Sequence, residues 1–232
     1  MNANGYILRA IDIKKDFGMT PALQGASLDV RNGEVLAIMG PSGSGKSTLL
    51  HCLAGIFKPD GGEVWFDGKR LDKLGEEDRT RLRRQSFGFV FQFGQLVPEL
   101  TAEDNIALPL LLNKTSRSEA YKMARSWFKK LGIDGLEKHR AGEMSGGQAQ
   151  RVALARALIT QPKVLFADEP TGSLDSLASE QVMELLVDLA HEQGSTVVLV
   201  THDPRIAAYA EREVMVRDGK VSSVQRKAGV VN

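Results

Sequence analysis

Eight residues, Gly40-Pro41-Ser42-Gly43-Ser44-Gly45-Lys46-Ser47, lie between an apolar run ending at Met39 and a segment of helical character. Glycines at 40, 43 and 45 let successive backbone N–H groups curl about an anion, and the helix that follows points the positive end of its dipole at the same place. Ser42 and Ser44 complete the loop. Lys46 is spaced to reach β- and γ-phosphates as a point charge, the Ser47 hydroxyl is a hard oxygen ligand suited to octahedral Mg²⁺, and Thr48 can add a hydrogen bond to an α-phosphate. A serine- and glycine-rich turn that happened to contain a lysine would not need all eight positions in a strand–loop–helix context. The expectation is a loop for nucleotide phosphates and Mg²⁺, although this pattern alone does not separate kinases, GTPases and transport ATPases.

A second apolar run, Val164-Leu165-Phe166-Ala167, ends in Asp168-Glu169. At the C-terminal edge of a parallel sheet Asp168 can hold Mg²⁺ through its water shell, and Glu169 can orient and partly deprotonate an attacking water. An acid that merely caps the turn before Pro170 is the plainer alternative, and the phosphate loop weighs against it. Met144-Ser145-Gly146-Gly147-Gln148 then opens another helix whose start is bare of side chains. Small residues there expose backbone N–H groups to a phosphate, and Ser145 adds a hydroxyl. One nucleotide hardly needs two such cradles.

The stretch from Met144 to Gln148 resembles the signature motif of ABC transporter ATPases, usually LSGGQ, with Met144 in the place of leucine. The resemblance extends from Ile7 to about Val221. It implies that Ser145, Gly146, Gly147 and Gln148 complete the ATP site of an opposite protomer in a head-to-tail homodimer. It further implies that Gln92 contacts Mg²⁺ or the attacking water and relays to a transmembrane permease, that His202 bonds the γ-phosphate, and that Ser173-Leu174-Asp175 form the D-loop. Lys46, Glu169 and His202 are then the catalytic set, with Ser47, Gln92 and Asp168 around the metal. Phe17 occupies the place of the aromatic residue on which adenine stacks, commonly tyrosine, and a phenylalanine face can serve. The implied fold is an α/β P-loop NTPase core with a mostly parallel sheet, an N-terminal antiparallel β subdomain, and a helical subdomain over about 86–160.

Elements must hold these residues in place. Periodicity and turn residues predict strands over Tyr6–Ile13, Ala26–Val30, Glu34–Met39 and Glu63–Asp67, and a helix over Ser47–Ile56. Ser116 and Glu119 have capping-box spacing, and Tyr121, Ala124, Trp127, Phe128 and Leu131 form a core stripe before Gly132. The last third alternates: helix Gln148–Thr160, strand Lys163–Ala167, helix Ser179–His191, strand Thr196–Val200 and helix Pro204–Ala210, which itself implies a mostly parallel sheet. A hairpin of Glu213–Arg217 and Lys220–Val224 turns at Asp218-Gly219, and Arg226–Asn232 reads as a frayed tail. Glu76 to Arg84 reads as a solvated helix face, and Leu108 to Leu112 as core or as a contact for the permease.

The 232 residues are 42% hydrophobic and carry a net charge of +1, which suits a single soluble domain and gives no field favouring nucleic acid. A lone cysteine, Cys52, forms no internal disulfide, and the N-terminus has no leader-like run, so a cytosolic protein is expected, which the ABC resemblance implies is peripheral to the cytoplasmic face of the membrane. Asn113-Lys114-Thr115-Ser116 lacks the aspartate of a guanine-reading N-K-x-D, no heptads run between Lys46 and Ser145, and one cassette is present, so GTPase, repair and translation readings fall behind. Phe89-Val90-Phe91-Gln92, Asp104 to Leu110 and Ala167 to Asp175 are similar to the MacB/LolD/FtsE group. That group implies export, and a likeness to the haem-efflux ATPases of Gram-positive bacteria makes haem the leading cargo; lipoprotein, macrolide or peptide export and FtsE-like signalling without cargo are the alternatives. His51, His139, His191 and Cys52 read as ordinary helix residues, which leaves the cargo to the partner.

Overall fold

The computed structural model describes residues 5–92 and 95–226. In chain order these form β1 (Tyr6–Phe17), β2 (Thr20–Arg31), β3 (Val35–Met39), α1 (Lys46–Leu53), β4 (Gly61–Phe66), β5 (Lys69–Arg70), α2 (Glu76–Ser86), β6 (Phe87–Phe91), α3 (Ala102–Leu112), α4 (Arg117–Leu131), α5 (Gly146–Leu158), β7 (Val164–Asp168), α6 (Ser176–Gln193), β8 (Thr196–Val200), α7 (Pro204–Ala207), β9 (Arg212–Arg217) and β10 (Lys220–Arg226). The chain divides into two compact units, one from 1–83 and 196–232 and the other from 84–195.

In the first unit, β2-β1-β4-β5 make an antiparallel sheet. β3 pairs in parallel with both β8 and β9, and β9 pairs antiparallel with β10. Every residue of β3 and β8 is buried, which is why both read as unbroken apolar runs. Leu36, Ile38, Leu49, Leu50 and Leu53 form the core beneath α1. β1 and β2 run beyond their predicted ends. Lys14, Lys15 and Asp16 look like loop residues, yet they continue the ladder to Phe17↔Thr20, because a turn at Gly18 (φ 62°) closes a tight hairpin. Cys52 lies on α1 as expected, and burial pushes its thiol up to about 12, leaving it protonated and unreactive.

In the second unit β6 and β7 pair in parallel, and α3 to α6 supply most of the remaining residues. Most of the α4 stripe is core, with Ala124, Trp127, Phe128 and Leu131 buried and Gly132 ending the helix at φ 62°; Tyr121 departs from it, part-buried because its hydroxyl donates to the Asp104 carboxylate. Ser116 caps it by accepting from the Glu119 N–H at 3.3 Å. Reciprocal capping boxes are found at Thr101/Asp104 and Ser145/Gln148. His139 departs from expectation. It lies in a turn before the Thr101↔Arg140 bridge, where its carbonyl accepts from the Ala102 N–H at 2.7 Å, while His51 and His191 are helical.

α2 is largely solvated, except that Arg79 is buried and paired with Glu76. Leu110 is buried whereas Leu112 is exposed, so the 108–112 run both packs and presents apolar surface. β10 reaches Arg226, and the tail predicted to fray beyond it lies outside the described residues. Among the described residues no helix is long and apolar enough to cross a membrane.

Candidate functional site

The phosphate loop belongs to the first unit. β3 delivers it, and Gly40 must be glycine: at φ 150° a Cβ would lie 2.2 Å from the Val216 carbonyl oxygen and 2.8 Å from Ser44 Oγ. Gly45, at φ 102°, is equally constrained, since a Cβ there would meet the Ala22 carbonyl at 2.5 Å. Gly45 is also the N-cap of α1 and supplies no side-chain cap, so the first-turn N–H groups of α1 have no cap from their own chain's N-cap residue. Lys46 is buried, with its Nζ donating to the Pro41 carbonyl at 2.9 Å. Ser44 Oγ is buried with no hydrogen-bond partner. A buried orphan hydroxyl, an ammonium parked on the loop and a backbone too tight for side chains together fit a triphosphate.

Gly40→Ala is expected to destabilise the fold by on the order of 3 kcal/mol, combining overpacking with backbone strain. Gly43→Ala, with nothing within 4 Å of the added Cβ, should cost only its positive-φ strain, about 1–2 kcal/mol. Denaturant midpoints of the two variants check the contrast.

The loop has a support that sequence reading missed. By its sequence the Asp218-Gly219 turn is only a hairpin, but the Gly219 N–H donates to the Ser44 carbonyl at 3.0 Å and the Gly219 carbonyl accepts from the Gln24 N–H at 2.8 Å. Asp218 (φ 49°) and Gly219 (φ 71°) make the tight turn that places both groups, so the only legible signal was the Asp-Gly dipeptide. His202 follows β8, exposed, and the Thr201 N–H donates to the Ile38 carbonyl at 3.2 Å, which seats His202 beside the end of β3. Phe17, at the end of β1, is 47% exposed.

The other predicted residues belong to the second unit. β7 is buried from Val164 to Ala167 and emerges at Asp168; Glu169 then takes φ 49°, a turn of the backbone rare for a non-glycine residue. Its carbonyl accepts from the Gly172 N–H at 3.1 Å. Gln92 follows β6, whose Phe91 pairs with Asp168. Ser173 Oγ donates to the Gln92 carbonyl at 2.8 Å, and a Cβ on Gly172 would stand 2.7 Å from Gln92 Nε2.

The backbone around Gln92 is also gripped from α5. Gln150 Nε2 donates to the Phe91 carbonyl at 3.0 Å and Arg156 to the Gln95 carbonyl at 2.8 Å. Sequence reading passed over Gln150; a buried glutamine on an apolar helix face was its one signal.

Ser145 caps α5. Its Oγ accepts from the Gln148 N–H at 3.3 Å, and Gln148 Oε1 accepts from the Ser145 N–H at 2.8 Å. The Ser145 O–H proton is therefore still available to donate outward. A cleft of about 380 Å³ opens here, lined by Ser145, Gly146, Gly147, Ser173 and Asp175, with Arg151 adding positive charge. Leu174 packs so close to Gly146 that a Cβ would lie 3.1 Å from its Cδ2, which ties the Ser173–Asp175 loop to the start of α5. The two helix starts differ in one respect: Gly45 gives α1 no side-chain cap, whereas Ser145 and Gln148 close a reciprocal capping box at the start of α5, which is therefore not bare of side chains as its sequence suggests.

The family described as "ABC transporter" matches residues 23–172. The lipoprotein-releasing system ATP-binding protein LolD 2 of Caulobacter vibrioides is 46% identical over 206 residues, 89% of this chain and 90% of that protein. LolD of Bordetella pertussis is 43% identical over 224 residues, 95% of this chain and 97% of its own length. Among solved structures, the dimeric post-hydrolysis state of the ATP-binding cassette MJ0796 bound to ADP and Pi superposes with a TM-score of 0.88 at 39% identity, covering 96% of this chain and 99% of that one.

Proposed function

Because this chain belongs to the ABC transporter family and is an ATP-hydrolysing subunit within it, we propose that the work it drives is release of lipoproteins from a membrane through a separate permease. The observation that carries this reading is the shared name of the relatives: those of Caulobacter vibrioides and Bordetella pertussis are both lipoprotein-releasing ATP-binding proteins, matched over nearly their whole length. The haem cargo expected from the sequence has no support among them, and lipoprotein export, its alternative, takes its place.

In this reading the N–H groups of Gly43 to Thr48 and the Lys46 ammonium bind the phosphates, with Ser42 and Ser44 lining the loop. Ser47, Asp168 and Gln92 would hold Mg²⁺, whose chemistry is to neutralise charge on the β- and γ-oxygens. Glu169 orients the water and takes its proton, while His202 steadies the γ-phosphate. Phe17 stacks on adenine. Ser145 to Gln148 face the nucleotide of a second copy. Two features support that last role: the outward-donating Ser145 hydroxyl beside an open cleft, and the dimeric form of the cassette that this chain resembles. The difference in affinity of the closed pair for ATP and for its products is then what moves the permease.

The complex of this chain with its permease, reconstituted in proteoliposomes, is expected to hydrolyse ATP several-fold faster with a triacylated lipoprotein inside the bilayer and to ignore haem. Stimulation by haem and not by lipoprotein would reverse the assignment.

A further inference from the structure

We infer that Phe57 is a positioning residue for the base: it holds the Phe17 ring in the attitude that leaves one face free for the purine. The inference rests on the reading of Phe17 as the stacking residue. Phe17 ends β1 at the tip of a hairpin, where a half-exposed ring has little of its own to fix it. The Phe57 and Phe17 rings form a T-shaped pair, with centroids 5.5 Å apart and planes at 74°. His51, on α1, meets Phe57 in turn at 5.1 Å and 86°, and the Phe57 N–H donates to the His51 carbonyl at 3.1 Å. A ladder of rings therefore runs from α1, whose other end forms the phosphate cradle, to the hairpin tip.

The backbones are stitched together as well. The Asp60 N–H donates to the Lys14 carbonyl at 2.8 Å, and the Asp60 carboxylate accepts from the Asp16 N–H at 2.8 Å and from Lys15 Nζ at 2.9 Å. The Asp16 N–H first, and Lys15 second, hold that carboxyl below the usual range, so the clamp is ionised at neutral pH. Lys15 Nζ lies over the Phe17 ring, 5.7 Å from its centroid, so the face left for a purine is the one Lys15 does not cover. Phe57 is only half-buried and Ile56 beside it is exposed, so this segment is poorly explained as core. Edge-to-face pairs favour one mutual orientation, and that restricts the torsions of Phe17 before any nucleotide arrives.

Calorimetric titration of the full chain with Mg-ATP and with Mg-tripolyphosphate, which has phosphates and no base, separates positioning from general damage. Phe57→Ala is expected to weaken ATP about three- to ten-fold and to leave tripolyphosphate unchanged; Phe57→Tyr should restore ATP. Asp60→Asn, which loosens the clamp without removing the ring, should shift the ratio the same way and decides the matter if Phe57→Ala fails to fold. Equal losses for both ligands, or none, would overturn the inference. Phe17→Ala tells the two ideas apart. If it leaves the ratio unchanged, the stacking reading itself is wrong; if it lowers the ratio while the variants at 57 and 60 do not, only the role of Phe57 falls.

Discussion

Glu169→Gln is expected to reduce ATP hydrolysis by roughly two to four orders of magnitude, the usual contribution of a positioned general base, while ATP still binds. The substitution is informative because of where the backbone sits. β7 is buried up to Ala167, and Glu169 adopts φ 49° with its carbonyl tied to the Gly172 N–H. Glutamine meets the same backbone strain and has nearly the same shape, so the fold is left alone. What it loses is the capacity to accept a proton. Steady-state phosphate release measures the loss, and size-exclusion chromatography in ATP should show dimers accumulating, since nothing then reopens them. If phosphate release is unchanged, Glu169 is a turn acid and the base lies elsewhere.

Removing the charge at position 46 should act on binding instead. Lys46 is buried with its Nζ on the Pro41 carbonyl, so the ammonium already sits over the loop and little ordering is needed when phosphates enter. Charged hydrogen bonds of this kind contribute about 1.5–3 kcal/mol each, and two of them make affinity fall by roughly a hundred-fold or more in Lys46→Ala. Lys46→Met keeps the packing of the stem and isolates the charge. Calorimetry with Mg-ATP reads the affinity, and thermal melting of the ligand-free variants should show little change. A variant that binds ATP normally would remove Lys46 from the phosphate site.

The chain's own order settled a good deal by itself. The phosphate cradle spans Gly40 to Ser47, and its geometry depends on φ angles and N–H directions within a few residues, so spacing was enough to find it. The same holds for the buried strand ending at Asp168, for the serine-capped start of α5 and for the stripe of α4, each of which is a local period or a local cap. Family membership followed from these short motifs, because their order along the chain is itself a sequence property. The cargo did not: it is chemistry for a partner, and the lipoprotein proposal rests on the relatives' names, not on residues of this chain.

Tertiary structure decided what holds the motifs. β1 and β2 extend through Lys14, Lys15 and Asp16 because each strand completes the other's hydrogen bonds, which no single-strand pattern reveals. His139 left its expected helix because its carbonyl is needed by the Ala102 N–H. The Gly219 N–H reaches Ser44, Gln150 reaches the Phe91 carbonyl, and Phe57 reaches Phe17 across distances in sequence that leave no periodic trace. The chemical groups of this protein are thus written locally, since a loop's dihedrals fix them. Their supports are not, because a backbone carbonyl finds its donor only when the chain has folded back upon itself.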